Sequence, residues 1–272
     1  MSDLFSAQPP RKPAPASPKE AAPQAYDANA IEVLEGLEPV RRRPGMYIGG
    51  TDESALHHLA AEILDNAMDE AVAGHANTIE VRLDAENRLS VRDNGRGIPV
   101  DAHPRFPDRS ALEVILTTLH AGGKFSGKAY ATSGGLHGVG SSVVNALSAR
   151  MDVEIARDRG VWRQSYERGK PVTQLERVGS AQNRRGTLIT FQPDPEIFGT
   201  HVFIPARLYK LCRSKAFLFR GVTIRWSCDP ALVRTGDDTP TEAVLHFPGG
   251  LADSLTAELG PSAPLLAPLW AG

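Results

Sequence analysis

Cysteine is nearly absent from this sequence, with two residues, Cys212 and Cys228, among 272. So few thiols exclude a disulfide-built secreted scaffold, and with no C-x-x-C or nearby Cys/His spacing they offer no structural zinc site. Long apolar runs are missing as well. Nothing approaches the roughly 18 consecutive apolar residues of a membrane span, and the N-terminal stretch lacks the apolar core of a signal peptide. The expectation is a cytoplasmic protein with no membrane partner. Charge of one sign is lacking too: 30 Lys and Arg against 32 Asp and Glu leave a net −2, which excludes a uniformly basic nucleic-acid binder. There are no internal repeats.

Proline, by contrast, is plentiful and unevenly spread. Pro9, Pro10, Pro13, Pro15, Pro18 and Pro23 crowd a Pro/Ala/Ser/Lys-rich start almost without bulky apolar residues. Such a segment cannot offset its ordering entropy, so residues 1–25 read as a disordered leader and order is expected from about Tyr26.

Beyond it the apolar set Leu56, Leu59, Ala60, Ile63, Leu64, Ala67, Met68, Ala71, Val72 keeps helical spacing up to Gly74. Ile79–Leu83 and Leu89–Arg92 alternate around a short link and read as a β-hairpin. Ser110 and Glu113 form a capping box before a helix expected to run to Gly122-Gly123. Seven glycines between Gly122 and Gly140 suggest a mobile loop, with a helix, Ser141–Ser148, launched from its end. Strands are expected at Met151–Ile155, Val161–Tyr166, Thr187–Phe191 and Val222–Trp226, helices at Arg207–Phe217 and Leu251–Leu259, and a loop-like tail from Pro261. The mixture reads as α+β, an antiparallel or mixed sheet with helices on one face.

Three places carry candidate chemistry. Glu62 and Asn66 are four residues apart on one helix face. A solvated face is the ordinary reading of such a pair, but Asn is unfavourable in mid-helix because its amide competes with the backbone. A functional reading makes Glu62 a general base on water and Asn66 an oxygen ligand to Mg²⁺. His58, one turn earlier, is placed to orient Glu62, whereas His57, His75, His103, His201 and His246 read as surface or satisfied structural residues. Asp93-x-Gly95-x-Gly97 follows a strand; the carboxylate can accept from an exocyclic amine and the glycines let a flat ring approach. Read alone it is a turn. Gly134–Gly140 opens the Ser141 helix with successive N–H groups suited to polyphosphate. One match is a decoy: Gly122–Lys128 fits G-x-x-x-x-G-K, but Ala129 replaces the Ser or Thr that holds Mg²⁺, and a helix precedes it.

Taken together and in this order, Glu62-x-x-x-Asn66, Asp93-x-Gly95-x-Gly97 and Gly134–Gly140 resemble the Bergerat (GHKL) nucleotide-binding fold of type II topoisomerases, Hsp90 chaperones, MutL proteins and sensor histidine kinases. The strings Arg43–Gly49, Glu62–Ala71, His120–Phe125 and Ser133–Gly140 are similar to the ATPase subunits of the bacterial type IIA topoisomerases, gyrase and topoisomerase IV. Leu218–Trp226 and Phe247–Leu251 look more like the topoisomerase IV side, with gyrase B as the alternative.

The resemblance implies a two-layer sandwich of a mixed, largely antiparallel sheet with helices on one face, an ATPase domain over 26–240 with an N-terminal arm over 26–50, and the start of a truncated transducer domain over 241–272. It implies ATP and Mg²⁺ as ligands, with Glu62 as base, His58 its support and Asn66 the metal ligand. Asp93 would take the adenine amine, assisted by Thr187. Lys124, Gly135, Leu136, His137, Gly138, Val139, Gly140 and Ser141 would hold phosphates, with Tyr130 in the lid. Arg96, Gly97, Pro99 and Arg157 would border the outer pocket, where the family's ATP-site inhibitors bind. Tyr26 and Ile31 would reach the partner's nucleotide in an ATP-dependent homodimer. The full heterotetramer would add the family's A-type (ParC-type) topoisomerase partner and DNA, and the protein would be nucleoid-associated. Since the family's transducer domain contributes a lysine to the γ-phosphate and the chain ends at Gly272, a nucleotide-binding fragment without turnover is a second expectation. A chaperone or mismatch-repair relative, a third, is opposed by Arg43–Gly49 and His120–Phe125.

Overall fold

The computed structural model describes residues 33–121 and 138–253. The chain divides between Leu34 and Glu35, and every element below belongs to Glu35–Gly272. In order these are α1 (Glu38–Arg42), α2 (Gly45–Ile48), α3 (Glu53–Val72), β1 (Thr78–Leu83), β2 (Leu89–Asp93), β3 (Ala102–His103), β4 (Phe106–Ser110), α4 (Ala111–Thr117), α5 (Gly140–Ala146), β5 (Ser148–Arg157), β6 (Gly160–Glu167), β7 (Lys170–Pro171), β8 (Glu176–Ser180), β9 (Gly186–Pro193), α6 (Pro195–Phe198), α7 (Pro205–Leu218), β10 (Thr223–Cys228) and β11 (Glu242–His246).

Nine strands form one sheet in the order β11-β10-β1-β2-β9-β5-β6-β7, with β8 also on β6; β3 and β4 pair separately. Only β1–β10 is parallel among the described pairings. The strand residues alternate. Val81, Val91, Ile189 and Val153 stand in register on one buried face, against which α3, α5 and α7 pack. The reverse face carries Arg225, Glu80, Arg92, Leu188, Glu154 and Arg163 in register, a ladder in which neighbouring opposite charges offset one another. This is the mixed, largely antiparallel sheet with helices on one face.

α3 is the central helix of the buried layer. Asp52 Oδ1 accepts from Ala55 N–H at its start, Gly74 takes φ +76° beyond its end, and Leu56, Leu59, Ile63 and Leu64 are almost wholly buried, each stabilising by about 1.5–3 kcal/mol. Asp65 faces α7, where Lys215 Nζ pairs with its Oδ1 at 2.5 Å.

The expected helices and strands are present over their described residues, with differences at the ends. α4 stops at Thr117 rather than at Gly122-Gly123. Thr118 is extended, and the carbonyl of Leu116 accepts from the buried amide of Asn145 on α5 at 2.9 Å, so a tertiary donor satisfies the helix end. The helix expected over Ser141–Ser148 ends at Ala146, because Ser148 already pairs with Pro193 in the sheet. The boundary expected at 241 falls just before β11, which pairs with β10 and continues the same sheet. The leader, most of the glycine loop and the tail from 254 lie outside the described residues. No described helix is long and apolar enough to cross a membrane.

Candidate active site

Spacing of four along α3 puts His58, Glu62, Asn66 and Glu70 in one stripe, about 18 Å from first to last at 1.5 Å per residue. The stripe meets α5 at its middle and the β2 end at its close. His58 Nε2 lies 3.7 Å from Glu62 Oε1. Asn66 Nδ2 donates to Ser141 Oγ at 3.0 Å. Gly140 is pressed so closely on Glu62 that an added Cβ would collide with the carboxylate. The first two residues of α5 therefore touch both members of the Glu62/Asn66 pair.

Asp93 closes β2 on the buried face, 8% exposed. Its Oδ1 accepts from Gly95 N–H at 2.7 Å and, at 3.4 Å, from Thr187 N–H on β9. Burial pushes its carboxyl up to about 6, the Gly95 and Thr187 N–H groups opposing and the Glu70 charge adding to the rise. Three glycines are demanded around it. A Cβ on Gly95 would lie 2.6 Å from Glu70 Oε2 and 2.8 Å from Asp93 Oδ1; Gly97 has φ +77°; Gly186 has φ +120° and would strike the Asp93 carbonyl. Ile98 N–H donates to Thr187 Oγ1 at 3.3 Å.

Arg157 and Arg96 line the outer side. Arg157 Nη1 donates to Gly97 O at 2.8 Å. Arg96 is held by Glu70: Nη2 to Oε1 at 2.7 Å, Nε to Oε2 at 3.2 Å, and its backbone N–H to Oε2 at 2.9 Å. Pro99 is exposed beyond them. Glu70 is the site residue that motif and spacing did not single out, although its position one turn after Asn66 continues the stripe. Gly138 and Val139 are half-buried at the approach to α5, Gly138 with φ +60°. Tyr26, Ile31, Lys124, Tyr130, Gly135, Leu136 and His137 lie outside the described residues.

The structure thus joins Glu62, His58, Asn66, Gly140 and Ser141 at one end and Asp93, Thr187, Arg96, Gly97 and Arg157 at the other. Of the remaining histidines, His57 is structural: Nε2 accepts from Ile204 N–H at 2.9 Å, leaving Nδ1 to donate to Glu53 O at 2.7 Å.

Residues 51–197 match the family described as histidine kinase-, DNA gyrase B-, and HSP90-like ATPase. The B subunit of DNA topoisomerase 4 from Caulobacter vibrioides is 64% identical over 236 residues, 86% of this chain and 34% of that protein; its counterpart from Rickettsia felis is 52% identical over 260 residues, 95% and 38%. The 43K ATPase domain of Thermus thermophilus gyrase B, solved with an aminocoumarin, superposes with TM-score 0.72 and 42% identity over 85% of this chain and 56% of that one. The chain spans about a third of the length of these curated relatives.

Proposed function

Since the chain belongs to the histidine kinase-, DNA gyrase B- and HSP90-like ATPase family, we propose that it is the nucleotide-driven clamp of a type II DNA topoisomerase of the topoisomerase IV class. The observation that carries this reading is the α3 stripe, which ends with Glu70 on the Gly95-Arg96 turn that follows the buried Asp93 and sets Glu62 and Asn66 against the start of α5.

In this reading Asp93 accepts a hydrogen bond from the adenine amine, and Thr187 supports it from β9. Arg96, Gly97, Pro99 and Arg157 border the outer edge, where ATP-site inhibitors would sit. Gly138, Val139, Gly140 and Ser141 hold phosphate oxygens with Lys124, Gly135, Leu136 and His137, and Tyr130 belongs to the lid. Glu62 takes a proton from the attacking water, and His58 on the preceding turn orients the carboxylate. The donor set suits Mg²⁺, a hard cation that prefers oxygen: Ser141 engages the Asn66 amide nitrogen and so turns the amide oxygen the other way. When bound, Mg²⁺ would neutralise phosphate charge.

Tyr26 and Ile31 belong to an arm that exchanges between two copies on ATP binding, closing a homodimer around DNA. The A-type topoisomerase partner completes the assembly, which works on DNA in the cytoplasm.

The test compares the wild type with Glu62→Ala for binding of a non-hydrolysable ATP analogue with Mg²⁺ and for phosphate release from ATP. Binding should persist while release falls by about 10²–10⁴-fold, the range for losing a general base. Equal release would remove Glu62 from this role. Tight binding with no release from the wild type would favour a nucleotide-binding module without turnover.

A further inference from the structure

Asp194 follows β9 and caps α6, with its side chain wholly buried between two guanidinium groups. Arg41 Nη2 on α1 donates to Oδ2 at 2.8 Å and Arg168 Nε to the same oxygen at 3.0 Å, while Oδ1 accepts from Glu196 N–H at 3.0 Å. Burial works against its ionisation, yet the hydrogen bonds from Arg41 and Glu196 N–H and the charges of the two guanidinium groups outweigh it and hold the carboxyl below its usual range. A buried carboxylate so fully partnered is a fixed post.

Arg41 uses its other nitrogen on α5. Nη1 donates to the carbonyl of Ala146, the last residue of that helix, at 2.7 Å, and Asp194 N–H donates to the next carbonyl, Leu147 O, at 3.0 Å. Terminal carbonyls of a helix lack intrahelical donors, and a cation beside them is favourable. The far end of α5 is thereby clamped to a post outside the site.

α5 is short, seven residues and about 10 Å, and its Val143, Val144 and Ala146 are buried in close-packed core. A helix this short and this tightly packed shifts as one body. Its near end carries Gly140 against Glu62 and Ser141 on Asn66, so a displacement at Ala146 is delivered to both.

We propose that Arg41, oriented by Asp194, is a positioning residue for Glu62 and Asn66, acting through α5 to set how the site grips the triphosphate rather than the nucleoside. The inference rests on the nucleotide-site reading above. Arg168 is the internal control, because it shares the Asp194 carboxylate and also pairs with Glu196 at 2.7 Å, while the helix end is taken by Arg41.

The experiment measures dissociation constants for adenosine and for a non-hydrolysable ATP analogue with Mg²⁺, alongside thermal melting, in the wild type, Arg41→Ala, Arg41→Lys and Arg168→Ala. Arg41→Ala should leave adenosine binding within about twofold and weaken the analogue roughly tenfold, the scale of one lost charge-assisted hydrogen bond. Arg41→Lys, which keeps a cation beside Asp194 but not the planar fork, should lose at least about threefold of the same preference and serves if the alanine variant does not fold. Arg168→Ala should lower the melting temperature while keeping the wild-type preference for the analogue. An unchanged preference in both Arg41 variants would overturn the proposal, as would an equal loss in Arg168→Ala. If the wild type binds the analogue no more tightly than adenosine, the nucleotide-site reading itself falls, and this inference with it.

Discussion

At the residue scale, Asp93 is a buried carboxyl kept at the expense of stability. Its folded pKa, about 6, lies above the value of an unfolded aspartate near 3.8. The fold therefore favours the neutral acid: its contribution is full below the unfolded value and is lost as pH rises through about 6. At pH 7.5 the ionised carboxylate costs on the order of 1–3 kcal/mol. Asp93→Asn should accordingly raise the melting temperature of the unliganded protein at pH 7.5, with the gain fading towards pH 4. The same change should weaken adenosine by about 1–3 kcal/mol, the worth of a hydrogen bond to a charged group. Wild-type adenosine affinity should fall below pH 6, approaching tenfold per pH unit, because the proton competes with the exocyclic amine. Calorimetric titration across pH 4.5–8 checks both, and a flat profile would remove Asp93 from the adenine role.

At the element scale, α4 is held at its two ends by unlike means. Ser110 Oγ accepts from Glu113 N–H at 3.1 Å, the cap legible in the sequence. Ser110→Ala should cost about 1 kcal/mol, read as a shift in the denaturant midpoint without a change in slope; no shift would mean that the cap is redundant with tertiary packing. The other end depends on Asn145 of α5, a donor no local pattern announces. A similar division runs through the strands. β1, β2, β9 and β10 bury alternate residues along most of their length, and that period marked the β1/β2 hairpin in the sequence, whereas β5 buries four residues in succession, Val153 to Ala156. β8 is exposed along its whole length and β11 buries only Leu245; edge strands exist through backbone pairing, so no hydrophobic period marks them.

At the scale of the whole molecule, β10 joins the last part of the described chain, with β11 beyond it, to the sheet by running parallel to β1. Trp226 lies at the centre of that strand, almost wholly buried, with Nε1 donating to Pro240 O at 2.8 Å and its ring against Tyr209 at 6.2 Å between centroids. Trp226→Ala should destabilise the protein by about 3–5 kcal/mol in equilibrium unfolding. A loss below about 1 kcal/mol, the level of surface substitutions, would show that β10 is peripheral to cooperative folding.

The sequence by itself determined the α+β character, the helix that carries Glu62 and Asn66, the strand that ends in Asp93 and the glycines beside it, because period, capping and turn chemistry act over a few residues. It also carried Glu70, but without a partner to give it meaning. Only the tertiary structure decided that Glu70 holds Arg96, that Asp65 belongs to Lys215, that burial moves Asp93 towards neutrality, and that Arg41 reaches the end of α5. Each of these joins residues far apart in the chain, and desolvation and ion pairing depend on where the folded chain places groups, which no local spacing encodes.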